Sequence, residues 1–132
     1  MKTETQITAE LVKAGRQLGN NILNNHSNEF AAGFPDVYNS GSLYNGWIEF
    51  KGQKTPLRTN QKVIIRDLIK HGDNVCIVRF IRDEDEIFTA KYETPEGFTL
   101  YELNINFTEK PLQERRRITW IEILKICQAT LG

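Results

Sequence analysis

The chain reads as a single α/β domain built on a mixed β-sheet flanked by helices. Three observations lead there. Helical and strand periodicities alternate along the sequence. A helical pattern joins a hairpin to an unbroken apolar strand, which calls for a crossover and a parallel pairing. And 132 residues are enough to bury one core but not two. Hydrophobic residues make up 39% and charged residues 26%, the balance of an ordinary globular domain. No apolar run approaches bilayer length and the N-terminus is polar, so a soluble, cytoplasmic protein with no membrane partner is expected.

In chain order, Ile7, Leu11, Ala14, Leu18 and Ile22 recur at intervals of three and four, predicting an amphipathic helix of about 18 residues. Thr3 to Gln6 fits a capping box at its start, and the asparagine-rich run Asn24 to Asn28 ends it. Asp36, Val37 and Tyr38 start a strand, and Asn39 to Ser42 make a turn. Gly46 to Lys51 return as the second strand of a hairpin. Alternation puts Trp47, Glu49 and Lys51 on one face of that strand, and Ile48 and Phe50 on the other. Thr59 caps a helix running to about His71, with Gly72 as its terminator and Val63, Ile64, Leu68 and Ile69 as its buried face. Val75 to Ile81 reads as a central buried strand. Ile87 to Tyr92 and Phe98 to Leu103 form a hairpin around Thr94 to Gly97. Asn104 to Arg117 reads as loop, and a capping box at Thr119 to Glu122 opens a last helix through Leu124, Cys127 and Leu131. The predicted order is α-β-β-α-β-β-β-α. No internal repeat, low-complexity tract or linker divides it.

Charge is balanced overall, with 17 basic and 17 acidic side chains, which argues against a generic nucleic-acid coat. Its distribution is uneven. Six basic residues and one acid, Asp67, lie between Lys51 and Lys70, while Asp83 to Glu86 form an acidic cluster. Lys54, Arg58, Lys62, Arg66 and Lys70 recur every fourth residue, a row that suits either a DNA backbone or an ordinary solvated face. Arg115, Arg116 and Arg117 read equally as a second contact or as a helix-approach loop. Cys76 and Cys127 sit in apolar stretches and read as reduced core residues, without metal-ligand spacing. His26 with Glu29 reads as solvated turn chemistry, and Trp47 and Trp120 as core or interface aromatics.

The chemistry concentrates in residues 33 to 66. Phosphodiester hydrolysis needs a hard divalent cation on oxygen ligands, an activated water and charge neutralisation at phosphorus. Asp36 and Glu49, on neighbouring strands of one hairpin, can converge on such an ion with the Phe50 backbone carbonyl as a third ligand. Lys51, on the face of Glu49, can orient the water or stabilise the developing negative charge.

Pro35-Asp36 followed by Glu49-Phe50-Lys51 resembles the PD-(D/E)xK nuclease superfamily, most of all its virus-type replication-repair nuclease branch, related to Holliday-junction resolvases. Gly33 before the Pro-Asp pair, the Ile48 to Lys51 strand, Thr59-Asn60-Gln61 at a helix start and Gly72 before an apolar strand all fit that pattern. The Gln53 to Thr55 segment fits loosely, and the resemblance covers residues 33 to about 81, hardly touching the hairpin and helix of residues 86 to 132. It implies a restriction-endonuclease-like core with Asp36, Glu49 and Phe50 (through its carbonyl) binding Mg²⁺ or Mn²⁺. It further implies that Lys51 is catalytic and that Gln61 supports the site. A first-helix glutamate serves related nucleases as an outer ligand, and Glu10 is the candidate here. The implied activity is a structure-selective DNA endonuclease of replication, recombination or repair, acting as a homodimer on branched DNA without a small-molecule cofactor. Stand-alone members of the branch are typically phage or viral. Two rivals remain: a silent nucleic-acid-binding domain of the same fold, and a restriction-like or single-strand-specific nuclease.

Overall fold

The computed structural model describes residues 2–25, 32–82, 88–105, 107 and 109–131. Its elements are α1 (Glu4–Gln17), β1 (Asn21–Asn24), β2 (Val37–Ser40), β3 (Asn45–Lys51), α2 (Thr59–Lys70), β4 (Val75–Arg82), β5 (Phe88–Glu93), β6 (Thr99–Ile105) and α3 (Leu112–Ala129). The six strands form one sheet in sequential order, antiparallel throughout except for β3 against β4. That parallel pair is joined by α2, as the apolar pattern of residues 75 to 81 required. The α/β class and the mixed sheet are as expected. The order gains one strand.

β1 is the addition. The capping box at Thr3 and Gln6 starts α1 as expected. The helix stops early because Gly19 takes φ +92°, a left-handed terminator that few other residues adopt at low cost. The Asn20 side chain then donates to the Gly15 carbonyl, satisfying one of the groups a helix end leaves open. Ile22, expected on the helix, sits in β1 and is buried from there, which is why both periods accommodated it.

Two helices share one face of the sheet and the third takes the other. Ile7, Leu11 and Val12 of α1 and Trp120, Ile123 and Leu124 of α3 pack with Ile48, Phe50, Cys76, Val78 and Phe80 in one core. Phe50 stacks on Phe80 at 5.4 Å between ring centres. α2 covers the opposite face, where Gln61 meets Glu49 and Lys51. Its buried residues are Gln61 and Ile65, with Ile64 and Leu68 half-buried. Val63 and Ile69, expected inside, face solvent, because the helix turns a polar residue toward the sheet at its first turn.

α3 also departs from expectation. It opens at Leu112 behind Pro111, so the loop predicted for residues 104 to 117 is partly the end of β6 and partly two turns of helix. The Thr119 hydroxyl donates to the Arg115 carbonyl within the helix instead of capping it. Those two turns lack an apolar stripe because they bind α1 through polar groups. Buried Arg116 reaches Glu10, and Arg117 donates to Gln17. Cys76 and Cys127 are buried but not reduced: they form a disulfide between β4 and α3, Cα to Cα 5.8 Å, where the helix crosses the strand. The His26 and Glu29 pair and the Asp83 to Glu86 cluster lie outside the described residues.

Gly15 marks the tightest point of the α1–α3 contact. A Cβ there would lie 2.6 Å from Trp120 Cε2 and 2.7 Å from Ile22 Cδ1, both in the core. Gly15→Ala is therefore expected to lower unfolding free energy by about 1–3 kcal/mol in a urea titration, despite alanine's better helix propensity. A more stable variant would contradict this packing.

Candidate active site

The site begins with a register. Val37 pairs with Ile48 across β2 and β3, so the next step along sets Asp36 opposite Glu49. Cross-strand partners share a face, and the two carboxyl groups come together, sharing a hydrogen bond. Gly33 lets the loop carrying Asp36 tuck beneath α2. It takes φ +90°, and a Cβ there would lie 2.7 Å from Ile64 Cδ1.

Asp36 Oδ2 accepts from the Phe50 backbone N–H at 2.9 Å. In a strand the N–H and C=O of one residue leave on the same side, so the Phe50 carbonyl faces the same edge as Asp36. Gln61 completes the arrangement. Its Nε2 donates to Glu49 Oε2 at 3.1 Å, and its Oε1 accepts from Lys51 Nζ at 3.0 Å and from the Arg58 N–H at 2.9 Å. One amide thus holds the acid and the base of β3 and closes the first turn of α2.

Glu49 is 1% exposed and Lys51 8%. Burial raises the Glu49 carboxyl most, the Asp36 charge and their shared hydrogen bond raise it further, and Lys51 and Arg58 draw it back, leaving it at about 9. Glu49 therefore keeps its proton at neutral pH. A buried and a half-buried carboxyl brought together by a strand register, with a backbone carbonyl on the same edge, are an all-oxygen donor set that suits a hard divalent cation. Among the described residues, no group of three or more His, Cys, Asp or Glu converges, so such an ion would rest on these two carboxylates, the carbonyl and water.

The structure does not bring Glu10 to this place. It lies on α1, across the sheet, bound to Lys2 at 2.5 Å and to Arg116 at 3.2 Å. Burial opposes its charge, but the hydrogen bonds and charges of Lys2 and Arg116 hold its carboxyl below the usual value. The first-helix glutamate beside the end of β3 is Glu4, whose carboxylate rests on Gly52. Of the basic row, Arg58 stands close enough for its charge to act on Glu49, and Lys54 is exposed in the preceding loop. Lys62 is half-buried, Lys70 is exposed, and Arg66 pairs with Glu96 at 3.3 Å.

Arg79 was not legible in the sequence, where it interrupts an apolar run. It lies beside Lys51 in the β3–β4 register. Its Nη1 donates to the Gly52 and Thr55 carbonyls, each at 2.6 Å, and its Nε binds Glu93. Arg79 thereby fixes the loop that leaves Lys51. Neither a protein-family model nor a curated protein sequence matches the chain, and the site is read from its own chemistry.

The proton on Glu49 makes folding pH-dependent. The folded state keeps it while an unfolded chain releases it from 4.5 upward, so without metal stability falls as pH rises toward about 9. Thermal unfolding in EDTA is expected to show that fall, and Glu49→Gln to flatten it. Mg²⁺ or Mn²⁺ is expected to raise the wild-type Tm more at about pH 8.5 than at about pH 6, and to leave Glu49→Gln unmoved. A flat wild-type profile would mean the carboxyls are not coupled.

Proposed function

We propose that this chain is a Mg²⁺- or Mn²⁺-dependent DNA endonuclease of the PD-(D/E)xK kind, acting on branched or otherwise structured DNA in replication, recombination or repair. The observation that supports this reading is the Gln61-tied cluster of Asp36, Glu49 and Lys51 at one end of β3. A structural ion pair would not need two carboxyls pressed together in a nearly dry place, because their mutual repulsion costs stability.

A divalent cation bound there polarises the phosphate and lowers the pKa of water. The chain's own residues do the rest. Asp36 and Glu49 present their oxygens from a rigid hairpin. Lys51, held by Gln61 Oε1, brings an ammonium to the attacking water or to the phosphorane charge. Water adds to phosphorus and releases one proton to solvent, one P–O ester bond breaks, and the leaving oxygen takes a proton from solvent and departs as a hydroxyl. Arg58 and the open amides at the start of α2 suit a neighbouring phosphate, and Lys62, Arg66 and Lys70 extend that charge along the helix. Cutting a symmetric junction on two strands takes two such sites, so the reading carries a homodimer with it. Among the described residues no helix is long and apolar enough to cross a membrane.

Labelled four-way junction, flap, duplex and single-stranded DNA, incubated with Mg²⁺, Mn²⁺ or EDTA, test the proposal. Metal-dependent cutting is expected, with Lys51→Ala slower by about 10²–10³-fold at unchanged DNA affinity. DNA binding without cutting of any substrate would replace this reading by a silent binding domain. Cutting that survives Lys51→Ala would place the active site elsewhere. For the basic row, Lys62→Ala is expected to reduce the salt dependence of binding by about one unit of slope across all sequences. An unchanged slope would make the row a solvated face.

A further inference from the structure

The strand face that carries Glu49 also carries a set of aromatic rings that the reaction itself does not use. Trp47 is two residues before Glu49 on β3, about 7 Å along the same face. Tyr38 is its cross-strand partner on β2, and the two rings meet edge to face, 5.2 Å apart at 81°. Phe34, two residues before Asp36 and 37% exposed, lies against Trp47 at 5.7 Å. The register carries the row on to Leu23 of β1, which is 61% exposed. All of these rings stand outside the large core on the other face of the sheet.

We propose that Phe34, Tyr38 and Trp47 form a stacking subsite for an unpaired nucleobase next to the scissile phosphate, so that the site takes DNA with a single-stranded arm. Spacing supports this occupant. A phosphate at Asp36 and Glu49 leaves its own or its neighbour's base within reach of Trp47, the separation being about that of two strand residues. Composition supports it as well. Aromatic faces accept any base, and three of them stand together within about two strand residues of Glu49. The path continues past Tyr38 into an open groove of about 630 Å³ at the β1 edge, lined by Arg16, Asn21, Leu23 and Ser40 among others. Its cation, Arg16, and the polar Asn21 and Ser40, set among the apolar Ile22 and Leu23, leave room for a strand departing from the platform. A duplex keeps its bases paired and stacked on one another, and gains nothing from the rings.

The inference rests on the nuclease reading for what lies at Glu49, but the stacking can be measured without cleavage. Fluorescence anisotropy in EDTA would compare a labelled oligothymidylate, an abasic strand of equal length and a duplex of equal length. The wild type is expected to bind the thymidylate more tightly than the abasic strand. Trp47→Ala is expected to weaken the thymidylate by about 5- to 150-fold while changing the duplex by less than about 2-fold. Trp47→Phe, which keeps a ring, should retain the preference. Phe34→Ala, in an exposed loop position whose loss does not touch the core, should reduce it in a protein of unchanged Tm. Equal binding of thymidylate and abasic strands by the wild type would overturn the subsite. Parallel losses for strand and duplex in the folded variants would overturn it too. Base-dependent binding with no metal-dependent cutting would sink the nuclease reading and leave the platform. Cutting without base-dependent binding would do the reverse.

Discussion

Everything specific about this molecule passes through the side chain of Gln61. Its planar amide ties three groups together: the nitrogen gives a hydrogen bond to Glu49, and the oxygen takes one from Lys51 and one from the backbone of Arg58. An alanine there would leave a buried carboxyl and a buried ammonium each short of a partner, and such groups are costly to leave unpaired. The same bond set fixes where the crossover helix starts over the sheet. The buried Glu49 and Lys51 at the end of β3 and the first turn of α2 are therefore linked through one side chain.

The sheet supplies the precision that the amide then locks. A hairpin register aligns Asp36 with Glu49, the parallel ladder aligns Lys51 with Arg79, and Arg79 pins the loop beyond. The apolar mass lies on the other face, where α1 and α3 pack on Ile48, Phe50 and Val78. The disulfide between Cys76 and Cys127 ties α3 to the central strand from behind. The cluster of Asp36, Glu49 and Lys51 sits on the helix-poor face of a strand anchored by the core beneath it.

Much of this was legible in the sequence, for physical reasons that can be named. β3 and β4 have strong period-two or unbroken apolar patterns, so their faces could be assigned, and with them the common direction of Glu49 and Lys51. What escaped follows equally clear rules. β1 is four residues long with one buried side chain, Ile22, that also satisfied the helical period before it. The first turns of α3 pair with α1 through Arg116 and Glu10, and a contact made of ions leaves no hydrophobic stripe to read. The buried face of α2 was misjudged at Val63 and Ile69 because its inward position near the site is a glutamine. The approach of Glu4 rather than Glu10 to the end of β3, at Gly52, depends on tertiary placement that helix position does not encode. The bond between two cysteines separated by 51 positions, like the meeting of Phe34, Tyr38 and Trp47, depends on tertiary contact that local patterns do not encode.

On the proposed reading, a divalent cation held by Asp36 and Glu49 displaces the proton that Glu49 carries in its absence. Titration calorimetry of Mn²⁺ near neutral pH, repeated in buffers of different ionisation enthalpy, counts the protons released as the ion binds. The account predicts about one proton released per ion bound, and loss of that binding in both Asp36→Asn and Glu49→Gln. Binding that releases no proton, or that persists unchanged in both variants, would contradict it.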